Sequence, residues 1–197
     1  MMFLFLLLVL VATAALVWLG GLWSAVITWT NLLLAMLIAT NYFEPVASML
    51  ESSGAASWTY LLDFVALWLL FFLAFGVLRA ITDALSRSAV ELDKPVELAG
   101  KAFFALWCGW LMVCFTAFSL HMAPLNSADP LGAWSTPQAR AFGPLAPDRL
   151  WLGLVYSRSR GALAGAHPFD PQADFLIKYH HRRAKYAEPE MAMRVAR

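Results

Sequence analysis

The sequence predicts an all-α membrane protein: four transmembrane helices, a tight hairpin between the first two, and a small helical extramembrane tail at the C-terminus. Three observations carry that prediction. The 197 residues are 61% apolar and only 14% charged, whereas a soluble domain is about half apolar and about one quarter charged. Charge is segregated, since all 14 Lys and Arg lie at or after Arg79 and the first 78 residues hold only Glu44, Glu51 and Asp63. Apolar runs then recur at the length of about 20 residues that crosses a hydrocarbon core of about 30 Å.

The first run has to turn back. Residues 1–40 as one helix would measure about 60 Å, twice the core. Gly20-Gly21 is the one weak point, where the backbone can take conformations that other residues avoid. Trp18 and Trp23 flank it as interfacial aromatics do. Two helices follow, about 2–19 and 22–40. Ala12-Thr13-Ala14 faintly resembles a cleavage site, but no basic stretch precedes the apolar run, so the first helix is expected to stay as an anchor.

Residues 41–57, polar and small, read as a connection. The third span runs over about 58–79 and continues as an amphipathic extension through ITDALSRSAVEL. The fourth covers about 96–121, with Pro95 suited to a first turn and Glu97 to its positive end. Five prolines between 124 and 147 mark a linker. Within 148–197, DRLWLGLVYSRSRGALAG reads as a short helix capped by Asp148, ended by Gly161 or Gly165, with Leu150, Trp151, Leu154 and Val155 on one apolar face. DPQADFLIKYHHRRAKYAE reads as a second, with Asp170 as cap and Pro171 at its first position. PEMAMRVAR is expected to fray.

Four spans put both termini on one side. The 41–57 connection has no Lys or Arg, whereas the 79–101 loop has Arg79, Arg87, Lys94 and Lys101. The positive-inside rule makes that loop cytoplasmic and both termini external, periplasmic in a Gram-negative-like cell. The segment 121–197 is basic overall, with ten Lys/Arg against six Asp/Glu, but long segments translocate largely regardless of charge.

Ser24, Thr28, Asn31, Ala35 and Ala39 fall on one stripe of the second helix. Small and hydrogen-bonding residues let helices meet in lipid, where no hydrophobic drive does so. The stripe therefore predicts a helix–helix contact, within the chain or between subunits. A polar lining for a solute path is the alternative, although such paths usually carry buried charge. Ala105 and Gly109 on the fourth helix form a small-xxx-small pair and are the expected opposing face. Asp63 is the ionisable residue embedded in an apolar segment; it reads as an interfacial or capping acid, or as one that pairs with a partner.

Catalytic and cofactor signals are missing. No glycine-rich phosphate loop, HExxH or GxSxG occurs. Ser119 and His121 point from different helix faces with no orienting acid nearby in sequence. Cys108 and Cys114 lie six residues apart and predict no disulfide. Adjacent His180 and His181 diverge by about 100° and cannot easily ligate one ion. Neither an enzyme, a metal, a cofactor nor nucleic-acid binding is expected. The charges from Arg79 to Lys101 nearly alternate, with Asp83 and Arg87 one turn apart, and read as a solvated, salt-bridged surface. The basic HHRRAK face would meet solvent, lipid head groups or a partner.

Residues 1 to about 123 resemble the colicin V production protein family of bacterial inner-membrane proteins. The resemblance is carried by the first helix ending in Gly20-Gly21, by ITWTNLLLAMLIATNYFEPVASML, by YLLDFVALWLLFFLAFGVLRAITDAL, and by the polar stretch leading to LAGKAFFALWCGWLMV. Gly20-Gly21 stands where that family has Arg-Gly. The resemblance implies about four spans, an inner-membrane location, and a role accessory to toxin production or secretion, or to envelope maintenance. It assigns no catalytic residue. Expected partners are membrane lipids, another copy of the chain, or a second membrane protein.

Overall fold

The computed structural model describes residues 1–52, 59–86, 93–125, 140, 142–159, 169–170, 172 and 174–195. Six α-helices are present among them: α1 (Met2–Trp18), α2 (Leu22–Leu50), α3 (Thr59–Leu85), α4 (Lys94–Ser119), α5 (Pro147–Ser159) and α6 (Phe175–Val195). Over the described residues α2, α3 and α4 are long and apolar enough to cross a membrane, and α1 is a shorter apolar helix of 17 residues.

The chain reverses between α1 and α2, but not for the reason the diglycine suggests. Neither glycine uses a left-handed backbone. Gly21 precedes α2 at φ −77° and ψ 171°, which any residue adopts. A Cβ on Gly20 would crowd Ser24, at 3.1 Å from its Oγ and 3.2 Å from its Cβ, and that side chain would have to give by a few tenths of an ångström. The two hairpin arms nevertheless barely pack on each other. α1 lies on α4, α2 lies on α3, and a contact between α2 and α4 joins the two pairs.

Side-chain contacts fix the directions. One end of the bundle gathers the hairpin turn, the end of α3 and the start of α4, with Trp23 bonded to Ser86 and Lys101 over the Trp18 ring. The other end gathers Phe3 against Phe142, the late part of α2, the start of α3, the end of α4, and both C-terminal helices.

The second helix does not stop at residue 40. It continues for ten more residues because Phe43 and Ala47 prolong the buried stripe of Leu32, Met36 and Ala39. Pro45 sits on its exposed side. Nor are α5 and α6 a separate unit: Trp151, Val155, Phe175 and Tyr179 belong to the same buried cluster as the bundle. Phe115 is the hub, with ring centroids 5.3 Å from Trp68, 5.1 Å from Phe71 and 5.7 Å from Trp151. Stacking of Phe118 on Phe175, at 5.0 Å, brings in α6.

Several local readings change. α5 starts at Pro147, so Asp148 lies inside its first turn rather than capping it. Its buried residues are Pro147, Asp148, Trp151, Val155 and Ser159, while Leu150 and Leu154 face outward. α6 starts at Phe175, not after Asp170. Asp170 Oδ1 still accepts from the N–H groups of Asp174 and Phe175, at 2.9 and 3.3 Å. The helix also runs through the residues expected to fray, as far as Val195. Arg87, Pro171, Gly161 and Gly165 lie outside the described residues.

Elsewhere the outside is apolar. Leu4, Leu8 and Leu16 on α1, Phe72 and Leu73 on α3, and Leu106 on α4 are all more than half exposed. Water would penalise so continuous an apolar face, and soluble monomers rarely carry one. Acyl chains do not penalise it. The three long apolar helices and this surface make the protein membrane-embedded.

Candidate functional site

Polar side chains collect at the two ends of the bundle. At the hairpin end, the stripe on α2 meets the last turns of α3. Arg79 donates through Nη1 to Thr28 Oγ1 at 2.8 Å, through Nη2 to Ser24 Oγ at 3.4 Å, and through Nε to Asp83 at 2.9 Å. Asn31, nearly fully buried, donates to Thr82 Oγ1 at 2.9 Å. Farther along, Ala35 and Ala39 are completely buried in the core.

The face opposing this stripe is therefore α3 and not the Ala105/Gly109 pair. Those two residues serve α1. A Cβ on Gly109 would come within 2.8 Å of the backbone oxygen of Leu10, and Ala105 lines a groove with Leu10, Ala14 and Ala102. The reason is geometric: Gly109 leaves no side chain between α4 and the α1 backbone, so α1 takes that face. Arg79 read in the sequence as a charge on a solvated loop surface, and Thr82 carried no reading; the structure turns both toward α2. Their signal was the i, i+3, i+4, i+7 spacing of Arg79, Thr82, Asp83 and Ser86, a polar stripe complementary to the one on α2.

At the other end, Asp63 accepts from Tyr179 Oη at 2.8 Å and from Arg182, which forms an ion pair with it. Lys178 pairs with Glu44 at 3.1 Å, and Arg182 lies over the Tyr179 ring. Burial, then the Asp63 charge, pushes the Tyr179 phenol well above its usual range. Asp63 thus holds α6 to α3, a role set by residues more than a hundred positions away. Beside it is a small polar hollow of about 160 Å³ lined by Glu44, Glu51, Asp63, Lys178 and Arg182.

A third contact lies just beyond the last residue of α4. His121 Nε2 and Asp148 Oδ2 are 3.1 Å apart, and both side chains are buried. Burial lowers the His121 pKa below its ordinary value. The Asp148 carboxylate opposes that shift, and Arg183 and Arg149 add to it. The acid absent near His121 in sequence is thus supplied by α5. It does not activate Ser119, whose hydroxyl accepts from Trp68 at 3.2 Å and donates to the Thr116 carbonyl at 2.9 Å. Cys108 and Cys114 are free and buried. Among the described residues, no three His, Cys, Asp or Glu side chains are grouped to hold a metal ion.

Chemically, these arrangements join helices. Apart from the local bonds of Arg79 to Asp83 and of Ser119 to Thr116, each of these hydrogen bonds or ion pairs links two elements that the sequence holds far apart. No protein-family model, curated protein or solved structure matches the chain.

Proposed function

We propose that the chain is a non-enzymatic integral protein of the bacterial inner membrane, of the colicin V production type it resembles. It crosses the bilayer four times and serves toxin production or secretion, or envelope maintenance, through helix packing and partner contacts. The observation that carries this reading is the use of the α2 stripe: Ser24, Thr28 and Asn31 all bond to α3. Side chains committed to a neighbouring helix serve assembly.

The proposed sidedness follows the same logic. The hairpin end carries Arg79, Lys94 and Lys101 close to span ends, which argues for a cytoplasmic hairpin and external termini. A second reading, a small transporter or channel, is favoured by Ser24 and Thr28 lining a groove.

Cysteine accessibility separates the two. With Thr28→Cys and Asn31→Cys, assembly predicts slow reaction with a small water-soluble thiol reagent in intact membranes; rapid reaction at both would install the channel reading. Reporter fusions at 50, 90 and 197 test the topology, and a cytoplasmic signal at 197 would reverse the sidedness.

A further inference from the structure

Between α1 and α3 a groove of about 620 Å³ runs down the side of the bundle. It exists because α1 is held on α4 and α3 on α2, so the two outer helices stand apart like walls. Leu16 and Val17 form one wall, Phe72 and Phe75 the other, and Leu32 and Met112 the floor. Its polar end holds Ser24, Thr28 and Arg79. We propose that this groove binds one phospholipid of the surrounding bilayer, its acyl chain between α1 and α3 and its phosphate on Arg79. The proposal rests on the membrane embedding of the bundle and goes beyond the packing role given to the stripe.

Position and shape select the occupant. The groove follows α3 from Phe71 to Arg79, about 12 Å along the axis, and opens sideways on the apolar outside of the bundle. A flexible hydrocarbon chain follows such a trough without moving its walls. Lipid is also what the groove faces, since Leu16 and Phe72 at its rim are more than half exposed.

Chemistry at the end selects the headgroup. A guanidinium has five N–H donors. Arg79 directs three to Asp83, Thr28 and Ser24, and its side chain remains 34% exposed. Two donors are left to meet phosphate oxygens, the planar pairing in which arginine is strongest. The bonds to Thr28 and Ser24 hold the guanidinium at the groove, toward the end of the bundle that carries Trp18 and Trp23. Asp83, 56% exposed beside it, would favour a headgroup that adds an ammonium to its phosphate, as phosphatidylethanolamine does.

The test uses the full chain in vesicles of phosphatidylethanolamine and phosphatidylglycerol, each in turn carrying a diazirine at mid-chain. Photolabelling is expected to concentrate on Val17, Phe72 and Phe75 above the level on the outer face of α4 at Phe103. Leu32→Trp, which fills the floor, removes the excess in the groove and leaves the outer face unchanged. Arg79→Gln lowers the lipid-bound fraction seen by native mass spectrometry at least about tenfold, the low end for losing the charged pairing to the phosphate. Inorganic phosphate does not displace the lipid. Groove labelling no higher than outer-face labelling, or retention unchanged in Arg79→Gln, overturns the proposal while the membrane reading stands. Absence of labelling on both faces overturns the two together. Crosslinks from the groove to a second chain would give it to another protein.

Discussion

Gly109→Ala adds one methyl group where α4 touches the backbone of α1. The new Cβ would sit 2.8 Å from Leu10 O, 3.4 Å from Leu10 Cγ and 3.5 Å from Leu10 C. Ordinary contact with that oxygen requires about 3.4 Å, so α1 has to retreat by about 0.6 Å at Leu10. A helical carbonyl cannot step aside alone, because its neighbours are tied to it by the i to i−4 ladder. The whole helix shifts or tilts. That motion loosens the cluster of Leu6, Val113, Ala117 and Leu120, which is buried between the two helices. Overpacking of this kind costs about 1–3 kcal/mol, or about 5- to 150-fold in the unfolding equilibrium. Gly76→Ala is the control, since a Cβ there meets nothing within 4 Å. Unfolding in mixed micelles should separate the two variants by that amount. Hydrogen exchange should rise in α1 and leave α3 unchanged. If Gly109→Ala and Gly76→Ala unfold alike, α1 is not seated on α4 as described.

Three further outcomes are expected. Removing Arg182 as Arg182→Leu leaves the Asp63 carboxylate, only 15% exposed, without its cation. The cost is about 3 kcal/mol by thermal or denaturant unfolding, and adding Asp63→Asn should recover part of it; a strictly additive double mutant would deny the pair. Trp151→Ala vacates the contact with Phe115 and the bond to Thr40 Oγ1, at about 3–5 kcal/mol. Trp151→Phe should forfeit only about 1 kcal/mol, with limited proteolysis reporting whether α5 has left the bundle. Finally, a histidine whose pKa is lower folded than unfolded binds fewer protons in the folded state between those two values. Stability linked to His121 is therefore complete above its ordinary pKa of about 6.5 and declines as pH falls below it. Thermal midpoints measured from about pH 8 to pH 5 should show that decline, and His121→Gln should lack this portion of it.

What the sequence determined was the material of each element. Apolar runs at spanning length set α2, α3 and α4, because in lipid a backbone must satisfy its own hydrogen bonds and a helix does so locally. Reversal at 20–21 was equally legible, since one rod of that length has no bilayer to fit. Tertiary structure alone decided the partners. Small residues such as Ala105 and Gly109 announce a close approach but carry no address, and which helix arrives depends on every other face at once. Asp63 was visible as an anomaly, yet Tyr179 and Arg182 reach it only because α6 folds back over the start of α3. The extension of α2 and the burial of Trp151 share that origin. Both depend on apolar surface supplied by chain that lies far off in sequence, and no local pattern reports it.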